Sequence, residues 1–188
     1  MHWPRKTVTP RGEKVELRDG SEVRIRPIEP ADKGLLAAAF DHLSEESRYR
    51  RFLHPVKHLS PRDLAYFTEV DHHDHEALIA LDANDQEAVG VARYIRSQAE
   101  PGEAEFAIAV VDEWQGRGLG TELLVRLMRR ARAAGLRRFS ALMLSDNREV
   151  LELVEHVAPV LSHRSSSGVM ELEIALPALP HLLVGEPR

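Results

Sequence analysis

The residues of this sequence that could bind a phosphate lie in one short stretch, residues 110–121, which reads Val-Val-Asp-Glu-Trp-Gln-Gly-Arg-Gly-Leu-Gly-Thr. An apolar run typical of a β-strand leads into it, and a long amphipathic helical pattern follows it directly. Glycines at such a junction let successive backbone N–H groups converge on an anion, and the helix dipole adds positive potential at the same point. The stretch therefore predicts a phosphate-binding loop around Gly116, Gly118 and Gly120.

The residues around the glycines argue against two common phosphate ligands. A nucleoside-triphosphate loop has Lys followed by Ser or Thr after its last glycine, whereas Gly120 is followed by Thr121 and Glu122. A dinucleotide loop has the spacing G-x-G-x-x-G in an early βαβ unit, whereas this loop reads G-x-G-x-G and lies late in the chain. We therefore expect the phosphate of a different ligand.

A second group of residues with possible chemistry is the run Asp71-His72-His73-Asp74-His75. Imidazoles and carboxylates are ligand types of divalent metals. Adjacent residues of one short loop, however, rarely converge on one ion without ligands from elsewhere in the chain. We therefore assign no metal, and interpret the run as a solvated loop or as part of the wall around an acceptor substrate.

Composition narrows the class of protein. A net charge of −5 argues against a general nucleic-acid-binding protein, which would carry a basic excess. The absence of cysteine excludes a disulfide framework and a cysteine nucleophile, and no stretch has the apolar length of a signal peptide or membrane span. We expect a cytoplasmic monomer or homodimer with no nucleic-acid or membrane partner.

The 188 residues are enough for one substantial core, so we expect one domain over residues 14–177 with flexible tails at 1–13 and 178–188. Periodicity and turn signals predict the elements that position the glycine loop. In order, they are a hairpin through 18–21, helices over 31–43, 44–52 and from Ser60, strands over 77–81, 88–95 and 103–111, a helix over 119–134, a strand over 139–144, a helix from 146–149 and a hairpin over 160–176.

The run Gln-Gly-Arg-Gly-Leu-Gly (115–120) matches the pattern Q/R-x-x-G-x-G/A and resembles the acetyl-CoA pyrophosphate loop of the GNAT superfamily of N-acetyltransferases. With Ile-Arg-Pro-Ile (25–28), Ser-Arg-Tyr-Arg-Arg-Phe (47–52) and Ala-Glu-Phe-Ala (104–107), it looks most like the acetyltransferase domain of bacterial Pat-type protein lysine acetyltransferases. The order of elements also resembles that of GNAT proteins. The resemblance implies an α/β (α+β) GNAT fold, with a mixed, mostly antiparallel central sheet of about seven strands flanked by helices, and acetyl-CoA in the splayed centre of the sheet.

The resemblance also implies which residues bind acetyl-CoA as co-substrate. A backbone N–H near Val110 would point at the thioester oxygen, where negative charge develops. Asn147 matches a position at which the family binds the pantetheine arm, and it is equally suited to cap a helix. The full set is Val110, Val111, Gln115, Gly116, Arg117, Gly118, Leu119, Gly120, Thr121 and Asn147.

Acetyl transfer to an amine needs a base, because an alkylammonium group with a pKa near 10.4 is almost wholly protonated at neutral pH. Strand alternation places Glu105 on the same face as Ala107 and Ala109, which are small and apolar. We expect this carboxylate to be partly desolvated, which raises a carboxyl pKa toward that of a useful base. GNAT enzymes often use a Glu on this strand, so we assign Glu105 as catalytic base; Glu103 is the rival, and an ordinary surface role is the alternative.

The sequence departs from the family where the leaving thiolate would be protonated. In the pattern N-x-x-A-x-x-L-Y-E-K-x-G-F the Tyr is the proton donor, and Val154 takes its place here. A thiol has a pKa near 8.5, so a thiolate can leave without an acid, and His156 or water could substitute.

The sequence thus predicts an acetyl-CoA-dependent N-acetyltransferase acting on a primary amine, with protein lysine as first choice. A small-molecule amine acetyltransferase and a non-catalytic acyl-CoA-binding sensor are the alternatives, and the sequence does not identify the acceptor.

Overall fold

The computed structural model describes residues 12–177, which form one eight-stranded sheet with helices on both faces. The predicted tails fall almost wholly outside these residues, except that Glu13 already begins the first strand. The elements in chain order are β1 (Glu13–Glu16), β2 (Glu22–Pro27), α1 (Lys33–Asp41), α2 (Glu45–Phe52), α3 (Pro61–Thr68), β3 (His75–Asp82), β4 (Ala88–Arg96), β5 (Glu103–Val110), α4 (Leu119–Ala133), β6 (Arg138–Leu144), α5 (Arg148–Val157), β7 (Val160–Ser166) and β8 (Val169–Ala175).

The strand order across the sheet is β1-β2-β3-β4-β5-β6-β8-β7. All neighbours are antiparallel except β5 and β6, which are joined through α4 and run parallel. The mixed, mostly antiparallel sheet is therefore confirmed. It has eight strands where about seven were expected, because both terminal hairpins pair along their full length.

Local signals in the sequence explain most helix ends. Ser44 caps α2 by accepting a hydrogen bond from the Ser47 N–H, and Ser60 and Asp63 form a reciprocal capping box at the start of α3. Gly135 follows the end of α4 with a φ of 84°, a left-handed conformation that favours glycine. These ends agree with the predicted boundaries to within a few residues.

The sheet separates two apolar layers. On one face, α4 and α5 pack against the strands through residues such as Leu123, Leu127 and Val154. On the other face, α1 contributes Leu36 and Ala39, and α3 contributes the partly buried Phe67. In the part of the chain that the structure describes, no helix combines the length and apolar character needed to cross a bilayer.

Candidate functional site

The candidate site lies where β5 and β6 separate. The two strands are paired only over Glu103–Glu105 and Arg138–Ser140, although β5 continues along β4 to Val110 and β6 continues along β8 to Leu144. Because each strand keeps its other neighbour, the gap between them stays open. A cleft of about 800 Å³ occupies it and ends at the glycine loop.

The glycine loop forms one end of this cleft. Gly116 and Gly118 have φ values of 74° and 89°, which residues with a Cβ adopt only with strain. Within residues 12–177, none of the backbone N–H groups of residues 116–121 donates to another residue of the chain. The first turn of α4 supplies the last three of these donors, so the predicted anion site has the amides and the helix N-terminus that it requires.

Gly120 lies close to α5. A Cβ at this position would lie 2.6 Å from the Leu153 Cδ1 atom, which is closer than nonbonded carbon atoms can approach. The glycine therefore lets the start of α4 pack directly on α5. Thr121 also lines the cleft, whereas Leu119 is buried in the apolar layer and offers only its backbone.

The side chain of Arg117 turns away from the cleft toward the β1–β2 hairpin. Its guanidinium donates to the Glu113 carbonyl, lies over the Trp114 ring at 4.8 Å and pairs with Asp19 at 3.1 Å. Arg18, which the sequence analysis did not single out, lines the cleft instead, beside Gly118. The N–H of Arg18 donates to the Arg117 carbonyl, so the hairpin brings a cation to the phosphate loop.

Val110 directs its backbone into the gap. Val111 donates its N–H to the Val89 carbonyl at 3.0 Å, so the antiparallel ladder turns the N–H and C=O of Val110 away from β4. The Gln115 Nε2 atom donates to the Val110 carbonyl at 3.0 Å, which holds this peptide in place. The predicted donor at Val110 therefore has a suitable orientation, and Gln115, which also lines the cleft, supports it.

Val111 was also assigned to the acetyl-CoA site, but its backbone is placed differently from that of Val110. Its N–H is used by Val89 and its carbonyl accepts from the Trp114 N–H at 2.8 Å. Its side chain is buried on the α1–α3 face of the sheet. Both backbone groups of Val111 are therefore engaged within the described chain.

Glu105 lies at the point where β5 and β6 part, and it lines the cleft. Strand alternation places it with Ala107 and Ala109, as predicted, but the expected partial desolvation is wrong because the residue is exposed. It is paired with Ile95 on β4 and with Ser140 on β6, and the gap between β5 and β6 begins at the next residue. Within the described chain its carboxylate makes no hydrogen bond or ion pair, whereas the rival Glu103 pairs with Arg138 at 3.6 Å and does not line the cleft.

Helix α5 forms the wall of the cleft beyond β6. Asn147 is 6% exposed, lines the cleft and caps the helix by accepting a hydrogen bond from the Val150 N–H at 3.4 Å. Its amide NH₂ group remains available to a ligand. Val154 is buried in the core, and His156 lines the cleft instead.

Two arginines that the sequence analysis did not assign lie on the α1–α3 side of the cleft. Arg93 is 5% exposed and lies over the Phe67 ring at 4.4 Å, and Arg51 lies over the Phe52 ring at 4.8 Å. Burial and the charge of Arg51 lower the pKa of Arg93 to about 9, which leaves it positively charged at neutral pH. Arg93 could have been noticed in the sequence, because it is a charged residue inside the otherwise apolar run 88–95.

The run 71–75 forms a structural turn. The Asp71 carboxylate accepts hydrogen bonds from the N–H groups of His73, Asp74 and His75, which lower its pKa. Burial and the nearby Arg93 lower the pKa of His75 to about 4, and its Nε2 atom lies 3.2 Å from an Arg93 nitrogen. Among residues 12–177 no group of three or more acidic, His or Cys side chains is arranged to hold a metal ion.

Comparisons with known proteins agree with this geometry. Residues 22–157 match the model of the acetyltransferase (GNAT) domain. Acetyltransferase Pat of Mycolicibacterium smegmatis is 31% identical over 163 residues, which are 87% of this chain and 48% of that protein. The chain thus spans about half the length of this relative.

Two solved structures are similar in fold. The GNAT domain of S. lividans PAT has a TM-score of 0.80 and 33% identity, with 87% of this chain and 96% of that chain covered. The yncA acetyltransferase of Salmonella typhimurium, solved with acetyl-CoA, has a TM-score of 0.64 and 19% identity, with 82% of this chain and 94% of that chain covered. Because the sequence identity to the Salmonella protein is only 19%, this similarity supports the fold and nothing further.

Proposed function

Since the chain belongs to the GNAT acetyltransferase family, whose co-substrate is acetyl-CoA, we propose that it transfers the acetyl group to a primary amine, and that a protein lysine is that amine. The observation that carries the proposal is the separation of β5 and β6 beyond Glu105 and Ser140. The resulting cleft joins a phosphate-binding loop at one end to an unpaired carboxylate along its wall.

The residues of the cleft fit acetyl-CoA. We propose that the amides of 116–121 and the guanidinium of Arg18 bind the pyrophosphate, because unpaired N–H donors and a cation converge there. Asn147 would bind the pantetheine arm through its amide. When bound, acetyl-CoA supplies an activated acyl group with a thiolate leaving group.

Two groups of the chain would act on the reaction itself. The N–H of Val110 would stabilise negative charge on the thioester oxygen, and Gln115 would hold that peptide in register. The carboxylate of Glu105 would take a proton from the ammonium group of the acceptor, directly or through water, so that the neutral amine can attack the thioester carbonyl. We propose no protein acid for the thiolate, since a thiol pKa near 8.5 makes the thiolate a tolerable leaving group.

The choice of protein lysine is supported by the motifs that resemble Pat-type enzymes and by the match to acetyltransferase Pat. A small-molecule amine is the second candidate, favoured by a cavity of about 50 Å³ that shares Arg51 and Ala107 with the lining of the cleft. A non-catalytic acyl-CoA sensor is the third, favoured by the buried Val154 where the family has Tyr.

Thiol release from acetyl-CoA tests these alternatives. The protein is incubated with lysine-bearing proteins, and separately with polyamines, aminoglycosides and amino acids. Release with the proteins, together with acetyl-lysine detected by mass spectrometry, supports the proposal. Thiol release only with small amines would identify a small-molecule amine acetyltransferase. Binding of acetyl-CoA without thiol release in the presence of any amine would identify an acyl-CoA sensor.

A further inference from the structure

The most unusual feature outside the coenzyme cleft is the cavity on the α1–α3 face of the sheet. It has a volume of about 50 Å³ and is lined mostly by apolar side chains. Arg93 contributes to its wall, and Arg51 lines both this cavity and the large cleft. About 10–15 Å³ of volume open to the centre of a water molecule is enough to hold one water, so the cavity has room for a group the size of a carboxylate.

Arg51 and Arg93 lack the carboxylate partners that Arg24, Arg26 and Arg126 have in the described chain. Arg26, for example, donates two hydrogen bonds to Asp32, each of 2.7 Å. Within residues 12–177, neither Arg51 nor Arg93 has a carboxylate within ion-pair distance. The two positive charges also repel each other across the same cavity. A buried cation without a counterion is costly, so this cavity has the electrostatics of an anion site.

The guanidinium groups have hydrogen-bonding capacity left. An arginine has five N–H donors. Arg93 uses two terminal nitrogens, one toward the Phe67 carbonyl and one toward His75, and Arg51 makes no hydrogen bond within the described chain. Each guanidinium lies over an aromatic ring, which leaves its N–H edge free to meet a planar carboxylate.

The register of the sheet relates this site to the proposed base. Arg93 is paired with Ala107, two residues from Glu105 on the same face of β5. Diagonal neighbours of this kind are about 7–8 Å apart. Glu105 attracts the charge of Arg51 but lies beyond ion-pair distance. An amine beside Glu105 would therefore have the two guanidinium groups within reach of a second group on the same molecule.

We propose that the acceptor is held through a carboxylate, which Arg51 and Arg93 bind while Glu105 receives the amine. This inference rests on the proposed amine acetylation and specifies the chemistry of the acceptor. The carboxylate can come from an acidic residue beside a lysine in a peptide, or from a free amino acid. Both sources present the same group to the cavity, and the experiment distinguishes them.

The test compares each acid with its own amide, since the two have nearly the same shape. One arm uses lysine peptides with Glu or Gln at each position around the lysine, and the other uses free amino acids and their carboxamides. Both kcat/KM and calorimetric affinity for the protein without coenzyme are measured, for wild type, Arg51→Gln, Arg51→Lys and the exposed control Arg62→Gln on α3.

We expect wild type and Arg62→Gln to prefer the acid about tenfold or more in one arm, because a hydrogen bond to a charged group is worth that much. In Arg51→Gln the ratio of kcat/KM for the acid to that for its amide should be close to one. Arg51→Lys should give an intermediate ratio, because lysine keeps the positive charge but lacks the planar guanidinium that binds a carboxylate with two hydrogen bonds. Arg51 makes no hydrogen bond within the described chain, and a thermal melt of each variant verifies that it folds.

The outcomes separate the two proposals. Acetylation of amines with equal rates for acids and amides overturns the carboxylate site and leaves the proposed function standing. Tighter binding of acids that depends on Arg51, without acetylation of any amine, supports the site and overturns the function. Equal affinity and no acetylation overturn both.

Discussion

Glu105 and Ser140 are the last pair that joins β5 to β6, and the coenzyme cleft begins immediately beyond them. This pairing places the proposed base at the edge of the opening, where its carboxylate faces the cleft without a partner in the described chain. At the far end of β5, the ladder with β4 turns the Val110 peptide away from that strand, and the same separation leaves this peptide facing the gap. One feature of sheet topology therefore positions both groups to which we assign chemistry.

Replacing Glu105 by Gln should lower kcat/KM by about 10²–10⁴-fold at neutral pH, because general base catalysis contributes that much. The loss should shrink as pH rises toward the amine pKa near 10.4, since more of the acceptor is then already neutral. Affinity for CoA should stay at the wild-type value. Thiol release as a function of pH and calorimetric titration with CoA measure these quantities.

Glu103→Gln is the matched control on the same strand. Glu103 pairs with Arg138 outside the cleft, so this variant should keep wild-type turnover. Equal activity of Glu105→Gln and wild type across the pH range would remove Glu105 from the mechanism.

Gly118→Ala should weaken CoA binding about tenfold or more. A Cβ at a φ of 89° costs about 1–2 kcal/mol and forces the loop to relax, which moves amides that would donate to a charged pyrophosphate. Calorimetric titration with CoA gives the affinity, and a thermal melt gives the loss of stability.

Gly135→Ala provides the comparison, because Gly135 has a φ of 84°, has open space around its Cα and lies at the other end of α4. It should lower the melting temperature by a similar amount and leave CoA affinity unchanged. If both variants lost affinity equally, the loss would reflect general destabilisation, and the loop would have no special role.

The elements and the position of the glycine loop could be predicted because their signals are local. Ser60, Pro61 and Asp63 form a cap from adjacent residues, and the glycines of the loop lie within five positions of each other. The order of these elements was enough to indicate the fold, since each strand and helix carries its own periodicity.

The remaining features of the site depend on contacts between distant residues. The point at which β6 stops pairing with β5 depends on both strands, and no residue of β5 alone encodes it. Arg51 and Arg93 come from different elements and meet only when α2 and α3 pack on the sheet. Their common cavity was therefore invisible in the sequence, although the charge within strand β4 was visible.

The two roles of Asn147 can be separated by substitution. Asn147→Asp keeps an oxygen that accepts from the Val150 N–H but removes the NH₂ donor, so stability should be retained while CoA affinity falls about two- to tenfold. Asn147→Ala removes both and should also cost about 1 kcal/mol of stability. Thermal melts and CoA titration of both variants measure the two effects. Unchanged CoA affinity in Asn147→Asp would leave Asn147 as a helix cap only.

His75 should make the fold less stable in mild acid. Its pKa is about 4 in the folded chain against 6.5 in the unfolded chain, because burial and Arg93 disfavour its charged form, while Asp71 and Glu76 partly oppose them. Between these values the unfolded chain binds the proton more tightly, so the free energy of unfolding should fall as pH drops from 6.5 to about 4, by at most about 1.4 kcal/mol per pH unit for this proton. Urea unfolding at a series of pH values measures the slope.

His75→Gln should have a flatter slope than wild type, whatever its absolute stability, because the proton-binding difference is removed. The exposed His163 on β7 supplies the control, since His163→Gln should keep the wild-type slope. A wild-type slope in His75→Gln would mean that other groups cause the acid sensitivity and that His75 is protonated in the folded chain near its ordinary pKa. In that case His75 would not be a neutral imidazole that accepts a hydrogen bond from Arg93.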